Sequence, residues 1–364
     1  MQDNNIFENE NEFNQTEPKI EEKAAENENF VNSTPVYSYV PPIPAGFTEK
    51  TYKEKKEIKK TANTVGAMLL SFFGFILFYN LFVMALNFAF SSSKNFYNIY
   101  SDPAVTQVIQ IVLSSSLFTL PFIFIAKITR NRISSLINTK PPEKGKFLPL
   151  FFFGAAFCSF ANIAISYAGQ IFENFGINYD VDYGENPEGF FGFILCLLST
   201  VAVPALAEEF AFRGVIMGLL RRFGEGFAVM VSAILFGVIH GNFEQMPFAF
   251  LVGLGLGFVA IKSGSIWTAV AIHAYNNFVS LIFNYFLSDI SVFLQNIIYT
   301  FLLIITLMLG IVMLIVLRND NSVYKFQKSE TECSEKQKYK WFFLTPTIII
   351  FIIIFVIESF AFFV

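Results

Sequence analysis

The chain has 364 residues, of which 54% are hydrophobic and only 15% charged, with a formal net charge of −4. A soluble domain carries about 25% charged residues, so this composition excludes that class; no basic patch of the kind nucleic-acid binding needs is present. Three scattered cysteines, Cys158, Cys196 and Cys333, form neither a disulfide framework nor a CxxC metal site.

Residues 1–49 are polar and acidic (Asp3, Glu8, Glu10, Glu12, Glu17, Glu21, Glu22, Glu26, Glu28) and end in Pro41-Pro42-Ile43-Pro44. Such a stretch buries too little apolar surface to offset its chain entropy and is predicted to be disordered. No cleavable signal peptide is expected, because the chain opens acidic and its first apolar run starts near residue 64. Residues 50–60 form a basic collar, read as a marker of the cytoplasmic side or as a lipid-responsive switch.

A bilayer core about 30 Å thick takes roughly 20 helical residues. Apolar stretches of suitable length lie near 64–90, 104–126, 147–172, 189–220, 227–241, 247–261, 266–287, 291–317 and 341–363. Lys and Arg cluster in alternate loops: 127–146, Arg221-Arg222, Lys262 and the polar loop 318–340. The loop at 173–188 is acidic instead (Glu173, Asp180, Asp182, Glu185, Glu188). A cytoplasmic N-terminus satisfies the positive-inside rule at every loop. The expected fold is therefore all-α, a polytopic transmembrane bundle of eight to nine spans. Its segments are the tail and collar at 1–60, two N-terminal spans at 61–146, a core at 147–290 and C-terminal spans at 291–364. The Phe, Ile, Asn and Lys bias points to a low-GC bacterium and its cell membrane.

Two of these spans are irregular. The fifth is too short for a straight crossing, and Pro204 interrupts the fourth four residues before Glu208. Proline removes a backbone hydrogen bond, and broken helices inside a bundle are tolerated where they line a cavity.

The ionisable residues of the apolar core are few: Glu208, Glu209, Arg213, and His240 and His273, the two histidines of the chain. Such residues inside a membrane cost about 2.5–3.5 kcal/mol each on insertion scales and mark functional sites. Glu209 and Arg213 stand at i and i+4 and share a helix face. Glu208 is rotated about 100° from that face and is the freer carboxylate, suited to a general base or else to a place at the rim of a structural ion pair. Phe236 and His240, like His273 and Asn277, also stand at i and i+4. The first pair reads as a core histidine donating to a backbone carbonyl or as part of a site. The second could hold water, supply an oxyanion hole, or tie helices together. Asn276 lies off that face. The Gly253, Gly255 and Gly257 pattern follows no strand and reads as close helix packing. HExxH and GxSxG motifs are absent.

Glu-Glu-x-x-x-Arg, Phe-x-x-x-His and His-x-x-x-Asn in this order resemble the CPBP intramembrane proteases, which include the type II CAAX prenyl endopeptidases and the bacterial Abi, bacteriocin-processing proteins. The resemblance covers about residues 147–290. It implies a helical bundle with a cavity open toward the cytoplasm, in which Glu208 activates water. Glu209 and Arg213 would support the site, His240 would position water or substrate, and His273 and Asn277 would stabilise the oxyanion. It also leaves room for a divalent metal such as zinc, with Glu208, His240 and His273 as candidate ligands. The implied partners are membrane lipids and a peptide or membrane-anchored protein substrate. A non-catalytic scaffold or immunity protein that binds a peptide in the same cavity, and a transporter, are the competing readings.

Overall fold

The computed structural model describes residues 20–21, 38–39, 43–91, 93–174, 185–242 and 245–361. Most of the predicted disordered tail lies outside the described residues, as do Asp180 and Asp182 of the acidic loop. Within the tail, Ile20–Glu21 pairs antiparallel with Ser38–Tyr39. Everything else that is regular is helical, in agreement with the all-α expectation.

Among the described residues, seven helices are long and apolar enough to cross a membrane: Glu49–Ala89, Pro103–Ile128, Phe147–Asn174, Gly189–Phe223, Gln245–Lys262, Ile266–Phe286 and Val292–Leu317. An eighth crossing arises if Glu335–Phe343 and the helix from Pro346, bent by 68°, count as one span. The protein is thus an integral, multi-pass membrane protein. The fifth apolar stretch of the sequence is the Glu225–Val238 helix, whose 14 residues reach about 21 Å and fall short of the bilayer core.

Helix starts follow local chemistry. Asp102 caps the Pro103–Ile128 helix by accepting from the Ala104 and Val105 N–H groups, with Pro103 in the first turn. Ser265 and Ser291 cap their helices in the same manner. The basic collar is part of the first helix, which begins at Glu49 behind a Thr48 capping box. Gly224 (φ 119°) ends the glutamate-bearing helix and lets the chain reverse into Glu225–Val238.

Apolar side chains of the core form a large cluster, running from Ile58 and Leu69 through Phe212, Leu235 and Leu256 to Phe351, and a small one around Cys196, Val201 and Leu281. The glycine pattern of the Gln245–Lys262 helix works by close approach. A Cβ on Gly253 would stand 3.1 Å from the Ala233 backbone, and one on Gly255 would stand 2.7 Å from the Phe157 ring.

The basic loops meet at one end of the bundle. Arg222 pairs with Glu57 of the collar (3.1 Å), and Lys50 pairs with Glu332 of the 318–340 loop (3.6 Å). That loop folds over the helix ends. Gln327 N–H donates to Glu225, and buried Lys338 donates to the Phe223 carbonyl (2.8 Å). Lys262 donates to the Lys325 carbonyl, and Lys146 pairs with Glu143 and Asp320.

Candidate active site

The helix Gly189–Phe223 carries Glu208, Glu209 and Arg213 on an irregular backbone. Two π-helical stretches, Leu197–Ala202 and Phe210–Ile216, flank the α-helical Val203–Glu209. Such widened turns collect at functional sites because they re-aim side chains without ending the helix. Pro204 has no N–H to give to the carbonyl of Thr200, four residues back. Asn277 Nδ2 donates to that carbonyl instead, at 3.0 Å from the Ile266–Phe286 helix. The Thr200 hydroxyl is engaged elsewhere, on the Cys196 carbonyl (2.7 Å). On the other side, Ser199 donates to Gln107 of the Pro103–Ile128 helix and to the Cys196 carbonyl (3.2 Å). Side chains from two neighbouring helices thus hold the break.

Glu209 is fully buried, and its Oε1 accepts from Arg213 Nη1 and from His273 Nδ1, both at 2.9 Å. The expected i, i+4 ion pair is therefore present and extends to a histidine on another helix. Arg213 Nη2 donates to the Gly253 carbonyl (3.3 Å), and its guanidinium lies 4.3 Å from the Phe236 ring centre. The Phe236 ring also packs edge-on against His240 (4.9 Å) and His273 (6.3 Å). His240 Nδ1 lies 2.7 Å from the Phe236 carbonyl.

These contacts set the tautomers. A carboxylate and a carbonyl only accept, so both imidazoles carry hydrogen at Nδ1, which leaves each Nε2 outside these contacts. His273 Nε2 faces Glu208 Oε2 at 3.9 Å. Glu208 keeps 14% of its side chain exposed, against none for Glu209. The two carboxylates thus differ as their 100° separation predicts: one is locked in the core, the other is free for a reactant.

Among the described residues, no three His, Cys, Asp or Glu side chains converge as a group able to hold a metal ion. Glu208, His240 and His273 are not grouped in that way.

A cleft of about 360 Å³ starts one turn beyond His273, lined by Asn162, Tyr275, Asn276, Asn277, Ser280 and Thr306. Asn162 Nδ2 donates to Asn276 Oδ1 (3.0 Å), and the Tyr275 and Thr306 hydroxyls pair (3.2 Å). At 1.5 Å per residue these positions lie roughly 14–23 Å along their helices from the basic end. The cleft therefore lies about half-way along the helices that line it. Sequence reasoning missed Gly253 O, Gln107, Asn162 and the Thr200 carbonyl as partners. Only the last had a signal, the four-residue offset from Pro204.

Residues 190–279 match the family model described as Type II CAAX prenyl endopeptidase Rce1-like. The matched segment contains all six candidate residues and agrees with the resemblance to the CPBP proteases. No curated protein and no solved structure matches the chain. The match supports a membrane-embedded endopeptidase as the class of protein to which this geometry is compared.

Proposed function

We propose that the protein is an intramembrane endopeptidase that uses Glu208 as its base. One observation carries this reading: the partly accessible Glu208 carboxylate faces the Nε2 edge of His273, whose opposite edge is pinned by the buried Glu209–Arg213 pair. Glu208 takes a proton from water, and the resulting hydroxide oxygen attacks the carbonyl carbon of the scissile peptide. His240 Nε2 accepts a hydrogen bond from the O–H that the water keeps and fixes its direction. His273, as an imidazolium that keeps its Nδ1–H on Glu209, donates its Nε2–H to the developing oxyanion. Glu208 then passes its proton to the leaving nitrogen, and the carboxylate is restored. Asn276 and Asn162 in the adjoining cleft offer amide donors and acceptors to a peptide backbone; the substrate is a peptide or a membrane-anchored protein.

The positive-inside rule supports a cytoplasmic basic end and a cytoplasmic N-terminus, and the composition supports a bacterial cell membrane. The test is N-terminal proteomics of cells carrying the wild-type protein or Glu208→Gln. A set of protein termini present with the first and missing with the second is expected. Identical termini, with both proteins folded and inserted, refute the activity.

A further inference from the structure

A second cavity lies at the basic end, away from the glutamates. It has a volume of about 600 Å³ and is formed by the first helix, the end of the Pro103–Ile128 helix and the end of the glutamate-bearing helix. The first helix presents to it an unbroken stripe at i, i+3, i+4, i+7, i+8 and i+11: Lys56, Lys59, Lys60, Asn63, Thr64 and Ala67. Ile58, Ala62, Val65 and Leu69, on another face of the same helix, are buried in the core. Arg222 enters from across the cavity, paired with Glu57 at 3.1 Å and donating to Thr61 at 2.6 Å. Four cations against the single acid Glu57 leave a clear positive excess. Among the described residues neither Lys59 nor Lys60 joins an ion pair, and both are exposed. Lys56 rests over the Tyr52 ring at 4.6 Å. The lining changes along the stripe. Lysines form the rim, Asn63, Thr64, Thr129 and Asn131 the wall, and Ala67 and Leu219 the apolar floor at the start of the long hydrophobic run.

We propose that this cavity binds the phosphate headgroup of an anionic glycerophospholipid. Lysine and arginine charges neutralise the phosphodiester, the amides and hydroxyls meet the glycerol oxygens, and the apolar floor meets the first carbons of the acyl chains. The floor favours a lipid over free phosphate, because a free ion has nothing to place against Ala67 and Leu219. The site is independent of the proposed peptidase activity.

The experiment uses delipidated full-length protein in a neutral detergent and follows the thermal midpoint. The added probes are phosphatidylglycerol, phosphatidylcholine or inorganic phosphate. Phosphatidylglycerol is expected to raise the midpoint, with little response to the other two and with a response that weakens at high salt. The triple variant Lys56→Gln, Lys59→Gln, Lys60→Gln is expected to need about 100-fold more phosphatidylglycerol, at about five-fold per lysine. A charge-matched control, Lys127→Gln, Lys140→Gln, Lys144→Gln, should respond like the wild type. The proposal is overturned by a triple variant that responds like wild type, by equal loss in the control, or by inorganic phosphate reproducing the whole shift.

Discussion

Asn277 Nδ2 supplies to the Thr200 carbonyl the hydrogen bond that Pro204 cannot give. Asn277→Asp removes the donor while keeping the side-chain shape, and it turns an acceptor toward an acceptor. Hydrogen bonds between membrane helices are worth about 0.6 kcal/mol on average and at most about 1.7. A buried carbonyl left without a donor costs about 1–3 kcal/mol. The expected loss is therefore about 1–2 kcal/mol, read as a fall of a few degrees in the thermal midpoint in detergent. Pro204→Ala restores a backbone N–H in the turn that faces this carbonyl. In that background Asn277→Asp should cost much less, so the double-mutant cycle should show a coupling of at least about 0.5 kcal/mol. The same pair should show rescue of cleavage once a substrate is in hand. If Asn277→Asp costs the same with alanine at 204 as with proline, the carbonyl is not what Asn277 serves, and a role confined to the oxyanion replaces it.

Two further outcomes follow from buried charge and burial. Glu209→Gln leaves Arg213, almost wholly buried, without its counter-charge, and leaves His273 Nδ1–H a neutral acceptor in place of a carboxylate. Breaking a buried pair in this way costs about 3–5 kcal/mol, so the thermal midpoint should drop sharply. Replacing both partners together, Glu209→Gln with Arg213→Met, should cost less than the single change, and a double variant worse than the single would contradict the pairing. Cys333 sits outside the spans, where burial, followed by a hydrogen bond to Glu54, pushes its thiol up to about 11. A raised value favours the protonated, unreactive form, so at pH 8 about one thiol in a thousand is thiolate. Maleimide labelling followed by intact mass should be slow at pH 8 and faster in Glu54→Gln; rapid wild-type labelling would argue against a buried thiol.

Cys333 is a free thiol in the 318–340 loop, and its burial illustrates what local pattern cannot carry. Its burial comes from the first helix and the 318–340 loop closing on each other, through contacts nearly 280 positions apart in the chain. Asn277 is a parallel case. Its spacing from His273 was legible, but its partner was not, because the partner is a backbone carbonyl on another helix.

What the sequence determined by itself was the class and the parts. Apolar run lengths gave the membrane helices, since the thickness of the hydrocarbon is fixed. Alternating basic loops placed one set of helix ends together, and helical periodicity paired Glu209 with Arg213 while turning Glu208 away. The tertiary structure decided how those parts are wired. Docking of the Ile266–Phe286 helix put His273 between the two glutamates and Asn277 on Thr200. It also set the lysines of the collar against Arg222 around a cavity. Periodicity reports which side chains share a face of one helix; which helix that face meets depends on packing among residues far apart in the chain.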